Sequence, residues 1–320
     1  MQETEKLVVG VDVGGQTTKC GVVDARGTIL AQTVIRTDNH PTAEPFIKDL
    51  ADALKLIIAE AKAEGRIRGI GVGAPNGNYY TGTIENAPNL AWGRERVEFS
   101  KMLSKAMGGI PVSLTNDANA AAVGEMTYGA AKGMKNFIMI TLGTGVGSGI
   151  VIDGKVLYGH DGFAGELGHV NIIRNNGRLC GCGRAGCLEA YCSAIGIART
   201  AREWLAASDE PSRLRDIENI TSKDIFEAAQ EGDELSLKLF DYTGTLLGRA
   251  FADFIAFSAP EAIVLFGGLA RARKFLEEPI RKAMDDSVLN LWKGKVKLVF
   301  SSLKESDAAI LGASALAWEL

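Results

Sequence analysis

The sequence predicts an α/β fold built twice, as two domains. Three observations predict it. At 320 residues the chain exceeds one average domain and can bury more than one core. Apolar runs of strand length alternate with runs of helical period. One layout also occurs twice: an apolar strand, a turn of glycines and hydroxyls, a second strand ending in Asp, then another turn. Its copies lie at residues 7–27 and 137–155. Such an internal repeat implies two similar halves facing each other, and the cleft between halves is a usual place for a ligand.

In the first copy, Leu7 to Val13 reads as a buried strand, Thr18 to Asp24 as its return, and Ile29 to Val34 as a third strand after the Ala25-Arg26-Gly27 turn. Asp12 to Lys19, DVGGQTTK, joins the first two. Gly14 and Gly15 would let backbone N–H groups approach an anion, and the hydroxyls of Thr17 and Thr18 can add donors. Asp12, at a strand end, can hold a hydrated Mg²⁺ that bridges phosphates. By itself the stretch reads equally as a plain glycine hairpin; the second copy is what weighs toward phosphate binding.

Residues 41–64 have a helical pattern, with Phe46, Leu50, Leu54, Ile57, Ile58 and Ala61 on one face and Gly65 as the stop. Ile67 to Val72 is a strand, 86–93 (NAPNLAWG) an irregular loop, Glu98 to Met107 a short helix and Pro111 to Leu114 a strand. Thr115-Asn116-Asp117-Ala118-Asn119 then stands where a strand ends and an alanine-rich helix begins. Asp117 or Asn116 can serve there as the N-cap. A carboxylate so placed can also act as a general base, and the helix N-terminus is expected to keep it ionised.

The second copy has Phe137 to Leu142 as a strand, Gly143 to Gly149 as a glycine and hydroxyl turn, and Ile150 to Asp153 as the return. The turn fails the dinucleotide pattern G-x-G-x-x-G. Gly149 to Val156 fails the P-loop, because Val156 stands where Ser or Thr must bind Mg²⁺. Beyond residue 193 come helices at 194–207, from Ser222 or Asp224 to Gln230, at 235–258 and at 275–284. Strands lie at 262–266 and 296–301, and Asp307 to Trp318 is a closing helix. Gly267 and Gly268 follow the first of these strands as a tight turn. The closing helix is expected to return to the first domain, giving domains of 1–115 plus 303–320 and of 116–302.

Residues 159–192 carry the densest chemistry. His169, Cys180, Cys182 and Cys187 have the donor types and spacing of a closed, structural zinc site. The intervening NNGRL, GCG and RAG are turn-formers. Ordinary buried cysteines or a disulfide are the other reading. Glu166 and Glu189 are interleaved with these residues, so a metal knot would hold two carboxylates and one imidazole close together.

Composition narrows the classes. A net charge of −4 argues against a general nucleic-acid binder. Five cysteines, three of them in a metal pattern, suit a reducing cytosol. The start, MQETEKLVVGVDVGG, lacks a basic n-region, and no run approaches the ~20 apolar residues of a membrane span. The expected setting is cytoplasmic, with no membrane or nucleic-acid partner.

GELGH (165–169) followed by CGCGRAGCLE (180–189) is similar to the zinc signature of the ROK family, which comprises bacterial sugar kinases and related repressors. The paired glycine turns resemble the actin-like ATPase (ribonuclease H-like) architecture, in which two hairpin loops pinch the phosphates of ATP. The resemblance covers essentially the whole chain. It implies an ATP-dependent kinase acting on the 6-hydroxyl of a hexose, glucose first, with N-acetylmannosamine or N-acetylglucosamine as alternatives.

On this resemblance Mg²⁺ and ATP engage Asp12, Gly14, Gly15, Thr17, Thr18 and Lys19 from one domain and Gly143, Thr144 and Gly145 from the other, with Gly267 and Gly268 near the adenosine. The sugar engages Asn89, Asn116, Asp117, Glu166, His169 and Glu189, and Asp117 is the base. Zn²⁺ is structural, and a homodimer is expected. Two departures stand out: Gln16, where the first loop often carries Thr, and Asn76 after Pro75, where Gly is common. The repressor branch is disfavoured because six residues before the first strand leave no room for a helix-turn-helix. A non-catalytic sugar binder is disfavoured because Asp12, Asp117 and both glycine turns are intact.

Overall fold

The computed structural model describes residues 6–320. In chain order the first elements are β1 (Leu7–Val13), β2 (Thr17–Val23), β3 (Ile29–Arg36), α1 (Ala43–Glu60), β4 (Ile67–Gly73), β5 (Gly77–Asn78), β6 (Thr83–Ile84), α2 (Phe99–Ala106), β7 (Val112–Thr115) and α3 (Asp117–Tyr128). Next come β8 (Phe137–Leu142), β9 (Val146–Ile152), β10 (Lys155–Val156), α4 (Glu189–Cys192), α5 (Ala194–Ala207), α6 (Ser222–Gln230) and α7 (Glu234–Ser258). The chain closes with β11 (Ala262–Phe266), α8 (Arg273–Ser287), β12 (Lys297–Phe300) and α9 (Glu305–Leu316).

The expected duplication is present in the sheets. One is ordered β3-β2-β1-β4-β7 and the other β10-β9-β8-β11-β12. In the first, β1 pairs antiparallel with β2 and parallel with β4, and β4 pairs parallel with β7. In the second, β8 pairs parallel with β11, and β11 with β12. The crossovers between parallel strands are helical, as parallel pairing requires.

The chain forms two compact units. One takes the described residues through Met134, with Gly149–Gly165 and Ser302–Leu320; the other takes Lys135–Ser148 and Glu166–Ser301. In the first, alternation along β1 separates two faces. Val9, Val11 and Val13 share a core with Phe46, Leu50 and Leu54 of α1 and Leu103 of α2. Val8 instead joins Val23 and, from the closing segment, Ile310, Leu311 and Ala317. By the same alternation Asp12 belongs to the Val8 face. In the second unit α7 is the largest buried helix, with Leu239, Phe240, Leu247 and Phe251 inside. It ends at Ala259, which is left-handed at φ 45°, just before Pro260.

Three local expectations need correction. The helix expected over 41–64 stops at Glu60, because Lys62 turns left-handed (φ 51°) and Ala63 N–H donates back to Ile58 O. The second glycine turn is shorter than 143–149: extended pairing takes over at Val146. The β5–β6 hairpin was not expected, since two residues per strand are too few to show a period.

Candidate active site

In the first unit, nine predicted positions lie on neighbouring segments. Asn116 is the residue that caps α3, its Oδ1 accepting from Asn119 N–H at 2.7 Å. That resolves the cap: Asp117 is the first helical residue, and its carboxyl remains exposed to solvent. Gly73, at the end of β4, lies between it and Asp12. A Cβ there would sit 3.7 Å from Asp117 Cα and 4.0 Å from Asp12 Oδ1.

Electrostatics follow from this crowding. Burial, then the Asp117 charge, push the Asp12 carboxyl up to about 6, with Lys19 pulling the other way. Desolvation by surrounding protein also raises Asp117, although the Ala118 and Asp117 amides oppose it. Accessible surface decides what can reach this carboxyl; the protein packed around it decides the direction of its pKa. The amides at the start of α3 favour the ionised form of Asp117, as expected of a helix N-terminus, while burial acts more strongly in the opposite direction.

The first glycine turn closes with Gly14 N–H donating to Thr17 O at 3.0 Å. Gly15 abuts the 86–93 loop so closely that a Cβ would lie 2.7 Å from Asn89 O. Asn89 itself is exposed. Lys19 pairs across the sheet with Asp12. Thr17 is half-buried, but Thr18 is fully buried, and its hydroxyl meets that of Thr37 at 2.8 Å. The Thr18 side chain thus braces the turn from behind, and Gln16 O reinforces it by accepting from Thr37 N–H at 2.8 Å.

In the second unit the remaining positions form another cluster. Gly143 N–H donates to Gly145 O at 3.0 Å, leaving Thr144 exposed at the tip. Ala194 N–H, at the start of α5, donates to Gly143 O at 2.8 Å. Gly267 has φ 104° and rests on Leu142, so the Gly267-Gly268 turn adjoins this one. Glu189 Oε2 accepts from Val146 N–H at 2.9 Å. Glu166 begins a short 3₁₀ turn over Leu167–His169, which Ser148 steadies by accepting from Leu167 N–H at 3.0 Å.

His169, Cys180, Cys182 and Cys187 converge, with their ligand atoms all within 4.8 Å of one another. Cys180 Sγ lies 3.7 Å from His169 Nδ1, and Cys182 Sγ 3.7 Å from Cys187 Sγ. A tetrahedron with ~2.3 Å metal–sulfur bonds has edges of about 3.8 Å, so the donors fit a tetrahedral soft ion. No disulfide joins these cysteines. His169 Nδ1 faces the thiols while Nε2 lies 4.0 Å from Glu166 Oε2. Arg178 secures the knot from outside: it donates to Thr200 Oγ1 at 2.8 Å, pairs with Glu203 and lies over the Tyr191 ring at 4.4 Å.

The ROK family model matches residues 8–319. The chain belongs to the ROK family. A glucokinase of Halalkalibacterium halodurans is 37% identical over 97% of this chain and 94% of its own length. An N-acetylmannosamine kinase of Salmonella heidelberg is 29% identical over 97% of each. Among solved structures, a ROK glucokinase of Streptomyces griseus in complex with glucose and AMPPNP superposes with a TM-score of 0.78 at 33% identity, over 98% of this chain and all of that one. A ROK family transcriptional regulator superposes at 0.88 with 28% identity; this chain spans 79% of its length. The fold is accordingly that of the actin-like ATPases. Among the described residues no helix is long and apolar enough to cross a membrane.

Sequence reasoning missed the inward-facing Thr18, the Asn76–Asn86 contact and the Val146–Glu189 bond. Each of the last two pairs a side chain with a backbone group, and the backbone partner leaves no mark in residue type.

Proposed function

We propose that this chain, an ATP-dependent sugar kinase, transfers the γ-phosphoryl group of ATP to the 6-hydroxyl of a hexose, glucose before other sugars. The observation that carries this is Asp117: an accessible carboxyl on the first turn of α3, beside the cap Asn116 and separated from Asp12 by a glycine.

Asp117 accepts the 6-hydroxyl proton as that oxygen bonds to the γ-phosphorus; the β–γ bridging oxygen leaves with ADP. A positioned base of this kind contributes about 10²–10⁴ in rate. Asn89, Asn116, Glu166, His169 Nε2 and Glu189 hold the sugar hydroxyls. The Gly14–Thr17 and Gly143–Gly145 turns offer backbone N–H groups to the phosphates, with Gly267 and Gly268 at the nucleoside. Asp12, whose ionised form the Lys19 charge favours, would hold hydrated Mg²⁺, which when bound neutralises phosphate charge. His169 Nδ1 and the thiolates of Cys180, Cys182 and Cys187 would hold Zn²⁺ as a structural ion.

Glucose is put first because the glucokinase relatives match more of this chain's residues than the N-acetylmannosamine kinase does. The second reading, an acetamido-hexose kinase, draws on that weaker relative. For the regulator relationship the likeness gives fold; Asp12, Asp117 and the two glycine turns support catalysis. A cytoplasmic homodimer completes the reading, with light scattering as its test.

The deciding experiment measures ADP release with MgATP against glucose, mannose, fructose, N-acetylglucosamine and N-acetylmannosamine. The highest kcat/KM for glucose is expected. Preference for an acetamido sugar would move the enzyme to the second reading. No turnover on any sugar by folded protein would reject the proposal.

A further inference from the structure

Asn76 and Asn86 both adopt left-handed backbone, at φ 50° and 51°. Residues with a side chain seldom do so, and Asn is among those that tolerate it best. The two are joined: Asn76 Nδ2 donates to Asn86 O at 2.8 Å, and Glu85 N–H donates to Asn76 O at 3.4 Å.

Each partner belongs to a segment of the proposed site. Asn76 sits in the turn between β4 and β5, where Gly77 N–H donates to Ala74 O at 3.1 Å. Three residues earlier, Gly73 lies against Asp12 and Asp117. Asn86 opens the 86–93 loop, which closes on itself: Ala87 N–H donates to Gly93 O at 2.7 Å and Gly93 N–H to Leu90 O at 3.0 Å. Ala87, Leu90 and Trp92 are buried, Trp92 stacking on Phe46 at 5.2 Å. Asn89 stands exposed among these anchors, its backbone against Gly15. The loop is therefore gripped from inside by apolar side chains and pinned at its base by the Asn76 carboxamide.

We infer that Asn76 is a positioning residue for the sugar: its carboxamide ties the turn after β4 to the base of the 86–93 loop, so that Asn89 is presented in place before sugar arrives. This rests on the proposed reading of Asn89 as a sugar contact. A loop that must be ordered on binding loses affinity to conformational entropy, and a preorganised one does not. The effect is read first on sugar affinity, because the bond pins the loop that carries Asn89, while the base Asp117 stands on α3.

Two substitutions isolate it. Asn76→Gly keeps the left-handed backbone and removes the amide. Asn76→Asp keeps shape and backbone tolerance but cannot donate to Asn86 O. With the sugar of highest kcat/KM, Asn76→Gly is expected to raise sugar KM about fivefold, the worth of one net hydrogen bond, and Asn76→Asp at least as much. Melting temperature, kcat and KM for MgATP stay near the parent values. Amide exchange of Ala87 and Gly93 speeds up in both variants. Asn89→Ala serves as the control. If it raises sugar KM while both Asn76 variants stay within twofold of the parent, the inference is wrong. If Asn89→Ala leaves sugar KM unchanged, the reading of Asn89 fails and takes the inference with it.

Discussion

Glu189 Oε2 accepts the Val146 N–H at 2.9 Å across Gly145, where a Cβ would sit 2.4 Å from that oxygen. The other carboxylate oxygen lies 3.4 Å from Cys180 Sγ. One side chain thus spans from the cysteine cluster to the second glycine turn. Gly145→Ala should push the carboxylate off Val146 and disturb the turn. Hydrogen bonds to charged groups are worth roughly 1.5–3 kcal/mol, so KM for MgATP should rise about tenfold or more, with zinc content unchanged. Initial rates against MgATP check this; an unaltered KM would mean the turn holds its shape without Glu189.

Asp12 should limit stability in the range where the enzyme works. Its carboxyl is raised to about 6 by burial and by Asp117, so the native state binds a proton more tightly than the unfolded chain. Stability contributed by that proton is present at low pH and lost as pH rises from about 4 to about 6. Asn at this position cannot ionise. Asp12→Asn should therefore be the more stable protein above pH 6, by on the order of 1–3 kcal/mol, and the difference should shrink toward pH 4. Activity should collapse over the same range. Melting curves from pH 4 to 8 without MgATP test the sign.

Asp117→Ala should lower kcat by about 10²–10⁴ while sugar still binds. Near-normal turnover would remove Asp117 as the base. Asp117→Asn carries a second expectation. It deletes the charge that helps raise Asp12, so the Asp12 pKa should fall. Carboxyl carbon chemical shifts followed against pH would report it.

Cys180→Ser should weaken metal retention and sugar affinity together, because His169 and Glu166 share one short turn and His169 Nδ1 faces Cys180. Metal analysis alongside sugar KM decides it: full zinc content with normal kinetics would separate the cluster from the sugar site.

Much of this protein was legible before its structure. The duplicated strand–turn–strand layout, the period of α1 and the His-Cys spacing are written in residue type, because burial selects apolar residues at 2.0 or 3.6 spacing and a soft ion selects thiolates and imidazole. Less legible were features set by backbone geometry. The short β5–β6 hairpin is invisible to periodicity. The left-handed φ of Lys62, which ends α1 early, is not announced by lysine.

The sequence by itself determined that there are two similar halves, that one histidine and three cysteines in metal-ligand spacing interrupt the second, and that a carboxylate begins a helix after a strand. These follow from local spacing, whose physical causes act within a few residues. The tertiary structure decided which member of a pair does which task. Asn116 rather than Asp117 caps α3, because only the folded turn aims one side chain at the Asn119 amide. Thr18 turns inward to Thr37 while Thr17 stays partly accessible, because β2 presents alternate residues to opposite faces. Asp117 comes close enough for its charge to raise the Asp12 carboxyl, and that closeness exists only when β1, β4 and α3 pack, since the residues are far apart along the chain.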